Sequence, residues 1–386
     1  MTTGTESLRG RLALMVGHCA GMVDLVALPV WVGALIAHYR FDPQQAGLLA
    51  TLFLAGAVLA SAALAPRFHN ISGRLVASVG FALAALGFGM ASTTTDFGKL
   101  AALHAVAGLA AGAALSVTHG TIARSPHPHR LFALAGMALG VFAIVFLGAT
   151  PQIVAAAGGA VLFQVFAGVM AVAALVAALA FPVPQAVPGT QRATSASEPI
   201  PRAVWMGVVG IACMALVQAM TFSFLERVGS DRGFGGQAVT GVLVALGVVN
   251  LFPAALAALL ERRWAARTVM LIGPVVQAAL VAVIMNSSDF APYGAAAAVF
   301  AAVMIFTHTF AFGLLAKLDR SGRSMAATPA MLMIGAAIGP VLGGTLVKSF
   351  GYGALSVAAA GIAAVAVFCF SRLPASTAIS TKEALA

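Results

Sequence analysis

The sequence predicts an all-α membrane protein of twelve transmembrane helices arranged as two pseudo-symmetric six-helix bundles. Hydrophobic residues make up 61% of the 386-residue chain and charged residues only 8%, with a mean hydropathy of +1.01, far from the composition of water-soluble domains. Apolar runs recur between short polar interruptions, each near the roughly 20 residues needed to cross a hydrocarbon core about 30 Å thick. The halves also echo each other: Arg40 and Arg232, and the pairs Gln45-Ala46 and Gln237-Ala238, lie 192 residues apart, and Arg74 and Arg267 lie 193 apart. Ten-residue segments of alternating polarity are absent from the sequence, which argues against a β-barrel.

Taken in order, the apolar runs place spans 1–6 at about 12–37, 44–65, 74–93, 98–121, 130–150 and 158–182. The stretch "PVPQAVPGTQRATSASEPIPR" then reads as a linker. Spans 7–12 follow at about 203–227, 236–260, 268–286, 292–316, 325–347 and 352–371. The expected organisation is a first bundle over 1–182, a cytoplasmic linker over 183–202, a second bundle over 203–372 and a cytoplasmic tail over 373–386.

Lys and Arg concentrate in cytoplasmic loops. Placing the N-terminus in the cytoplasm leaves only Arg40, Lys99, Arg227, Arg232 and Lys348 on the outer side, against sixteen of the 21 basic residues inside. Both termini are therefore expected to be cytoplasmic, in a bacterial-type inner membrane, and no Lys or Arg falls near the middle of a span. The net charge of +10 is scattered through loops and not gathered on one face, so nucleic acid is not an expected partner. Cys19, Cys213 and Cys369 all fall in apolar runs, which indicates neither disulfides nor a cysteine metal site. The segment "MTTGTESLRGR" leads into a run too long and too polar at its centre for a signal peptide.

In span 11, "GAAIGPVLGG" carries Gly335, Gly339, Pro340, Gly343 and Gly344 in a G-x-x-x-G-P-x-x-G-G pattern. Small residues so spaced let helices approach closely, and the proline bends one of them. On this pattern, and over nearly its whole length, the chain resembles the major facilitator superfamily of secondary transporters. In that family the pattern is associated with span 5 of antiporters; here span 5 keeps only Gly136, Gly140 and Pro151, in looser spacing. The loop "APRFHNISGR" resembles the family's gating loop in ending on Gly73-Arg74, without the acidic residue expected before that glycine. In span 4, "HAVAGLAAG" sets His104 where the family often has an arginine, ahead of Gly108 and Gly112. Asp24-Leu25, Leu28-Pro29 and the following Pro43, Gln45, Ala46 and Gly47 are similar, less specifically, to the aromatic-acid:proton symporters of the superfamily; Gly21 stands at the first acidic position of their motif.

An ionisable group inside a membrane is expensive, so it is a functional candidate by default. Of the 11 acidic residues, only Asp24 lies deep, 13 residues after Arg11 and 16 before Arg40, near the bilayer middle at 1.5 Å per residue. It is the candidate proton-coupling group, able to take up and release a proton as the cavity faces each side. The alternative is a protonated carboxyl that holds span 1 to a neighbour. His18 lies six residues earlier, about 120° around the helix, so the two share no face. It shares one with Met22 instead. That spacing, with Met304 and His308 in span 10 and Cys213, Met214 and Met220 along span 7, also admits a copper importer with soft ligands, although methionine is common in membrane helices.

In the superfamily, spans 1, 4, 7 and 10 surround the central cavity. The resemblance thus marks Asp24, His104, Gln218 and His308, one polar residue on each, as a substrate and proton site, with His18 and Met22 beside them. Asn250 and Gln277 are also deep and could serve the cavity or hydrogen-bond across helices. Glu226 reads as a solvated charge at the outer mouth, and His119, His127 and His129 as a solvated loop.

The function expected is a proton-coupled secondary carrier working by alternating access. With no deep Lys or Arg, neutral or cationic organic solutes are favoured over anions. The alternatives are a copper importer and a non-transporting sensor. The enzyme motifs H-E-x-x-H, G-x-S-x-G and G-x-x-x-x-G-K-[ST] do not occur in the sequence, so no enzyme is expected. No cofactor or bound metal is assigned, and a monomer in the bilayer is expected.

Overall fold

The computed structural model describes residues 4–64, 71–182, 201–261, 263–318 and 328–374. Most of the expected linker and tail therefore lies outside the described residues, as do Arg67, Arg192, Arg262, Arg320, Arg323, Lys382 and the side chain of His129. In lipid every backbone N–H and C=O must be satisfied within its own segment, which makes helices of apolar runs. The chain forms α1 Leu8–Gly21, α2 Val23–Tyr39, α3 Pro43–Leu64, α4 Gly73–Ala91, α5 Phe97–Ala123, α6 Pro128–Ala157 and α7 Ala160–Ala180 in its first half. The second half contributes α8 Arg202–Asp231, α9 Gly236–Val249, α10 Pro253–Leu260, α11 Ala266–Asn286, α12 Phe290–Leu318, α13 Thr328–Phe350 and α14 Gly353–Ser371. Twelve stretches among the described residues are long and apolar enough to cross a membrane.

The twelve observed spans follow the expected ones within a few residues at most ends, but two of them are interrupted. Span 1 breaks at Met22 (φ −105°, ψ 16°), which divides α1 from α2. Span 8 breaks at Asn250–Phe252, just before Pro253, whose missing N–H and ring suit the first turn of a new helix. Short polar residues start several helices: the side chains of Ser7, Ser72 and Asp96 accept from the amides of Gly10, Leu75 and Lys99. Asp42 and Gln45 cap α3 reciprocally, the amide of Gln45 donating to Asp42 Oδ1 at 2.9 Å and the amide of Asp42 to Gln45 Oε1 at 3.2 Å.

Aromatic rings fill the first bundle: Trp31, Phe53, Phe88, Phe163 and Phe166 are fully buried and meet largely edge to face. Large apolar side chains such as Leu86, Leu179, Leu259 and Val357 point outward, as expected where the solvent is lipid. The internal repeat is visible in two arginines. Arg74, at the start of α4, donates to the carbonyl of Ala178 at the end of α7; Arg267, at the start of α11, donates to Ser371 O at the end of α14 over 2.7 Å. Both bonds span 104 residues of sequence, so the same cation ties the same two helices in each half.

An even number of spans puts both described ends on one face, the near face; the loops after Tyr39, Ala91, Ala157, Asp231, Asn286 and Phe350 form the far face. Contacts between the bundles gather toward the far face. Lys348 Nζ reaches Asp42 Oδ2 at 2.9 Å and Gln44 Oε1 at 3.3 Å. The backbones of Gly344 and Pro43, and of Gly47 and Pro340, lie too close for any added Cβ, and the amide of Val341 donates to Thr51 Oγ1 at 3.1 Å. Gly148 faces Val244 and Gly247 faces Ile144 across α6 and α9. The far face is closed.

Candidate functional site

Asp24 sits in the first turn of α2, directly after the break at Met22. Its side chain is 5% exposed, and its Oδ1 has no hydrogen-bond partner. The carboxyl lies beside the amides of its own residue and Leu25. A helix start presents free N–H groups and the positive end of the dipole, an environment suited to a carboxyl group. The break at mid-span therefore supplies polar backbone where the bilayer offers none. Gly17 and Gly21 bring α1 onto α5: a Cβ on Gly21 would fall 2.6 Å from the Leu115 side chain, and one on Gly17 3.2 Å from Thr118 Oγ1.

The other expected residues divide among three places. His18 is buried on α1, and its Nδ1 lies 2.9 Å from Nε2 of His119 on α5. His104 is fully buried inside the first bundle, its Nδ1 donating to Leu100 O at 2.7 Å and its ring 5.5 Å from that of Trp31. His104 Nε2 and Trp31 Nε1 have no partners. In the second bundle, Gln277 Nε2 donates to Gln218 Oε1 and to Met214 O, each at 3.2 Å, so the two expected amides join α11 to α8. The His308 ring lies tilted against that of Phe312, centroids 5.0 Å apart, with its Nδ1 unpartnered, and Asn250 caps α9 at the span 8 break with its Oδ1 unpartnered. Among the described residues no hydrogen bond or ion pair joins Asp24 to any of these side chains.

Two readings are corrected. His119 is not in a solvated loop: α5 continues to Ala123, and the histidine turns inward to pair with His18. The sequence signal was its place inside the expected span 98–121, obscured by the proline-flanked histidines that follow; His127 itself is exposed, 3.8 Å from Glu6. Glu226 is not a solvated end charge either: its carboxyl lies between the bundles, where a Cβ on Gly33 would overlap it. Gly335 lies against Ala212 O, Gly339 against Ala219 and Met220, and Gly343 against Met220 and Phe224, joining α13 to α8, while Gly344 faces the other bundle. Gly73 begins α4 against the Phe181 ring.

Away from Asp24, the break in span 8 opens an apolar groove of about 770 Å³ between α10, α11 and α12, lined by Leu256, Ile272 and Phe306 among others. Groups of three or more His, Cys, Asp or Glu side chains able to hold a metal ion are not found among the described residues.

Twelve spans in two repeated bundles, sealed together at one face around polar groups buried at mid-depth, define a membrane transporter. The chain belongs to the major facilitator superfamily, whose family model matches residues 13–318. Among solved structures it is similar to a bacterial homologue of the human lysosomal transporter Spinster, in an inward-facing and unoccupied conformation, at 15% identity and TM-score 0.70 over 95% of each chain. It is also similar to the nucleoside transporter NupG, at 15% identity and TM-score 0.72 over 94% of this chain and 98% of that one. These likenesses describe the fold. A comparison with curated proteins finds no match.

Proposed function

We propose that this transporter is a proton-coupled secondary carrier of a small organic solute, neutral or cationic, with Asp24 as its proton site. The observation that carries the reading is the Asp24 carboxyl itself, buried at mid-span, with an unpartnered oxygen, at a helix break between the two halves of span 1. A charge in hydrocarbon costs at least a few kcal/mol. A carboxyl in that position is neutral while sealed off and ionises when water reaches it, so a proton crosses with each change of access. The scarcity of cations at mid-span favours solutes that bring no negative charge. The distribution of Lys and Arg supports cytoplasmic termini, and a closed far face then leaves the chain open toward the cytoplasm. One chain carries both bundles, so the carrier acts as a monomer in a bacterial-type inner membrane.

The test is flux in proteoliposomes under an imposed pH gradient, after a ligand library has been screened for thermal stabilisation. Asp24→Asn is expected to abolish pH-driven accumulation; unchanged accumulation would overturn the mechanism. A copper chelator is expected to leave flux intact. Flux abolished by chelation, and equally by His18→Ala or Met22→Ala, would replace the organic solute with a metal ion, and ligand binding without flux would indicate a sensor.

A further inference from the structure

Glu226 is placed where no surface charge would be put. It lies one and a half turns before the far end of α8, and its Oε2 occupies the space directly above the Cα of Gly33 on α2, where a Cβ would have to push the carboxyl end aside. The contact crosses from one bundle to the other. Ser230 Oγ donates to Glu226 Oε1 at 2.7 Å. Among the described residues no Lys or Arg nitrogen lies within ion-pair distance of this carboxyl.

The charged and titratable groups around it are engaged elsewhere. On its own helix, Arg227 pairs with Asp231 at 2.7 Å, and Asp231 also accepts from Tyr352 Oη, at the start of α14, at 2.6 Å. Arg232, capping α8, donates to the carbonyls of Ile284 and Met285 on α11. From α12, Tyr293 Oη donates to Leu225 O at 2.7 Å. From α13, Lys348 is held by Asp42 and Gln44 of the first bundle. On α2, the ionisable neighbours of Gly33 lie toward the helix end, where His38 turns against Gly159 and Arg40 caps the helix with φ 56°. Glu226 thus meets the opposite bundle with one hydroxyl donor and a glycine backbone. An ionised carboxylate with so few donors, half-buried against the opposite bundle, loses part of its hydration at a cost that a protonated one escapes.

We propose that Glu226 is a proton-operated latch of the far face. Protonated, the carboxyl packs on Gly33 and the bundles close there; when it gives its proton to far-side water, the carboxylate requires solvation and the seam parts. Rejoining the bundles takes a proton back from the same side. The latch is distinct from the Asp24 site and does not rest on it, because it concerns which face is open and not what is carried.

The experiment measures the seam directly. In the full-length protein with its three native cysteines replaced by serine, spin labels at Thr95→Cys and Ser288→Cys, both on exposed far-face loops of opposite bundles, report the distance across the seam by pulsed electron resonance between pH 5 and pH 8.5. The wild-type distance is expected to shift from short to long as pH rises. Glu226→Gln is expected to hold it short throughout, and Asp24→Asn to retain the wild-type response. A pH response in Glu226→Gln equal to that of wild type, or a wild-type seam indifferent to pH, would overturn the proposal. Loss of pH-driven flux in Asp24→Asn with this response intact, or the reverse, separates the two proposals.

Discussion

Lys348 Nζ lies 2.9 Å from Asp42 Oδ2, an ion pair that links the second bundle to the first at the far face. The pair is partly exposed, at 47% and 34% of the two side chains, so it adds at most about 1 kcal/mol to closure and is screened by salt. Partial desolvation would raise the Asp42 carboxyl, but the amide of Gln45, the Lys348 ammonium and the amide of Gln44 outweigh it and hold the carboxyl below its ordinary value of 3.8. A group depressed in this way contributes fully above its ordinary range and loses its contribution as pH falls through the lowered value. Lys348→Gln is therefore expected to increase far-face labelling of a loop cysteine about two- to fivefold between pH 5 and pH 8. In 1 M salt the difference should vanish.

Asp24→Asn should separate coupling from binding. Asparagine keeps the shape and the hydrogen-bonding reach of the side chain but carries no exchangeable charge. Uphill accumulation driven by a pH gradient is expected to fall at least about tenfold, the size of effect that removal of one essential group gives, while solute exchange at equal pH on both sides persists. Loss of both activities would indicate that Asp24 only holds α2 in place.

The two arginine anchors make a matched pair. Arg267 is partly buried and its bond to Ser371 O closes α11 on α14, whereas the Arg74 bond to Ala178 O is exposed. A charge-assisted hydrogen bond contributes about 1.5–3 kcal/mol when shielded and less in water. In detergent melting curves Arg267→Ala should lower Tm clearly and Arg74→Ala by less; the opposite order would show that the near face is packed differently from the arrangement described.

Glycines of α13 should fail in different ways. A Cβ at Gly339 would lie 2.7 Å from Ala219 Cβ and 2.7 Å from Met220 N, within one bundle, so Gly339→Ala is expected to lower stability by about 1–3 kcal/mol, as overpacking does. At Gly344 the obstacle is the Pro43 carbonyl of the other bundle. Gly344→Ala should leave Tm near that of wild type and cut flux, because it obstructs far-face closure and not folding. Paired melting and flux measurements distinguish them.

Much of the architecture was legible because the bilayer imposes it: twelve apolar runs of helical length have no other way to satisfy their backbones, and Arg74 and Arg267, recognisable as a repeat by spacing alone, make equivalent bonds. The breaks were harder to read. Pro253 marks the one in span 8 after the fact, but Met22 is not a residue that announces an interruption. Side-chain partners were the least legible. Gln218 and Gln277 met as an amide pair, one of the two roles open to Gln277, whereas the pairing of His18 with His119 depends on how α1 lies on α5 through Gly17 and Gly21.

By itself the sequence determined the span count, the repeat and the depth of Asp24, because hydropathy and rise per residue act along one helix at a time. Only the tertiary structure decided that Asp24 begins a new helix, that His104 is enclosed by aromatic rings and that Glu226 faces Gly33 across the seam. Those relations depend on the crossing of helices far apart in the chain and on the choice of one closed face, and a carrier's two faces are made by the same sequence.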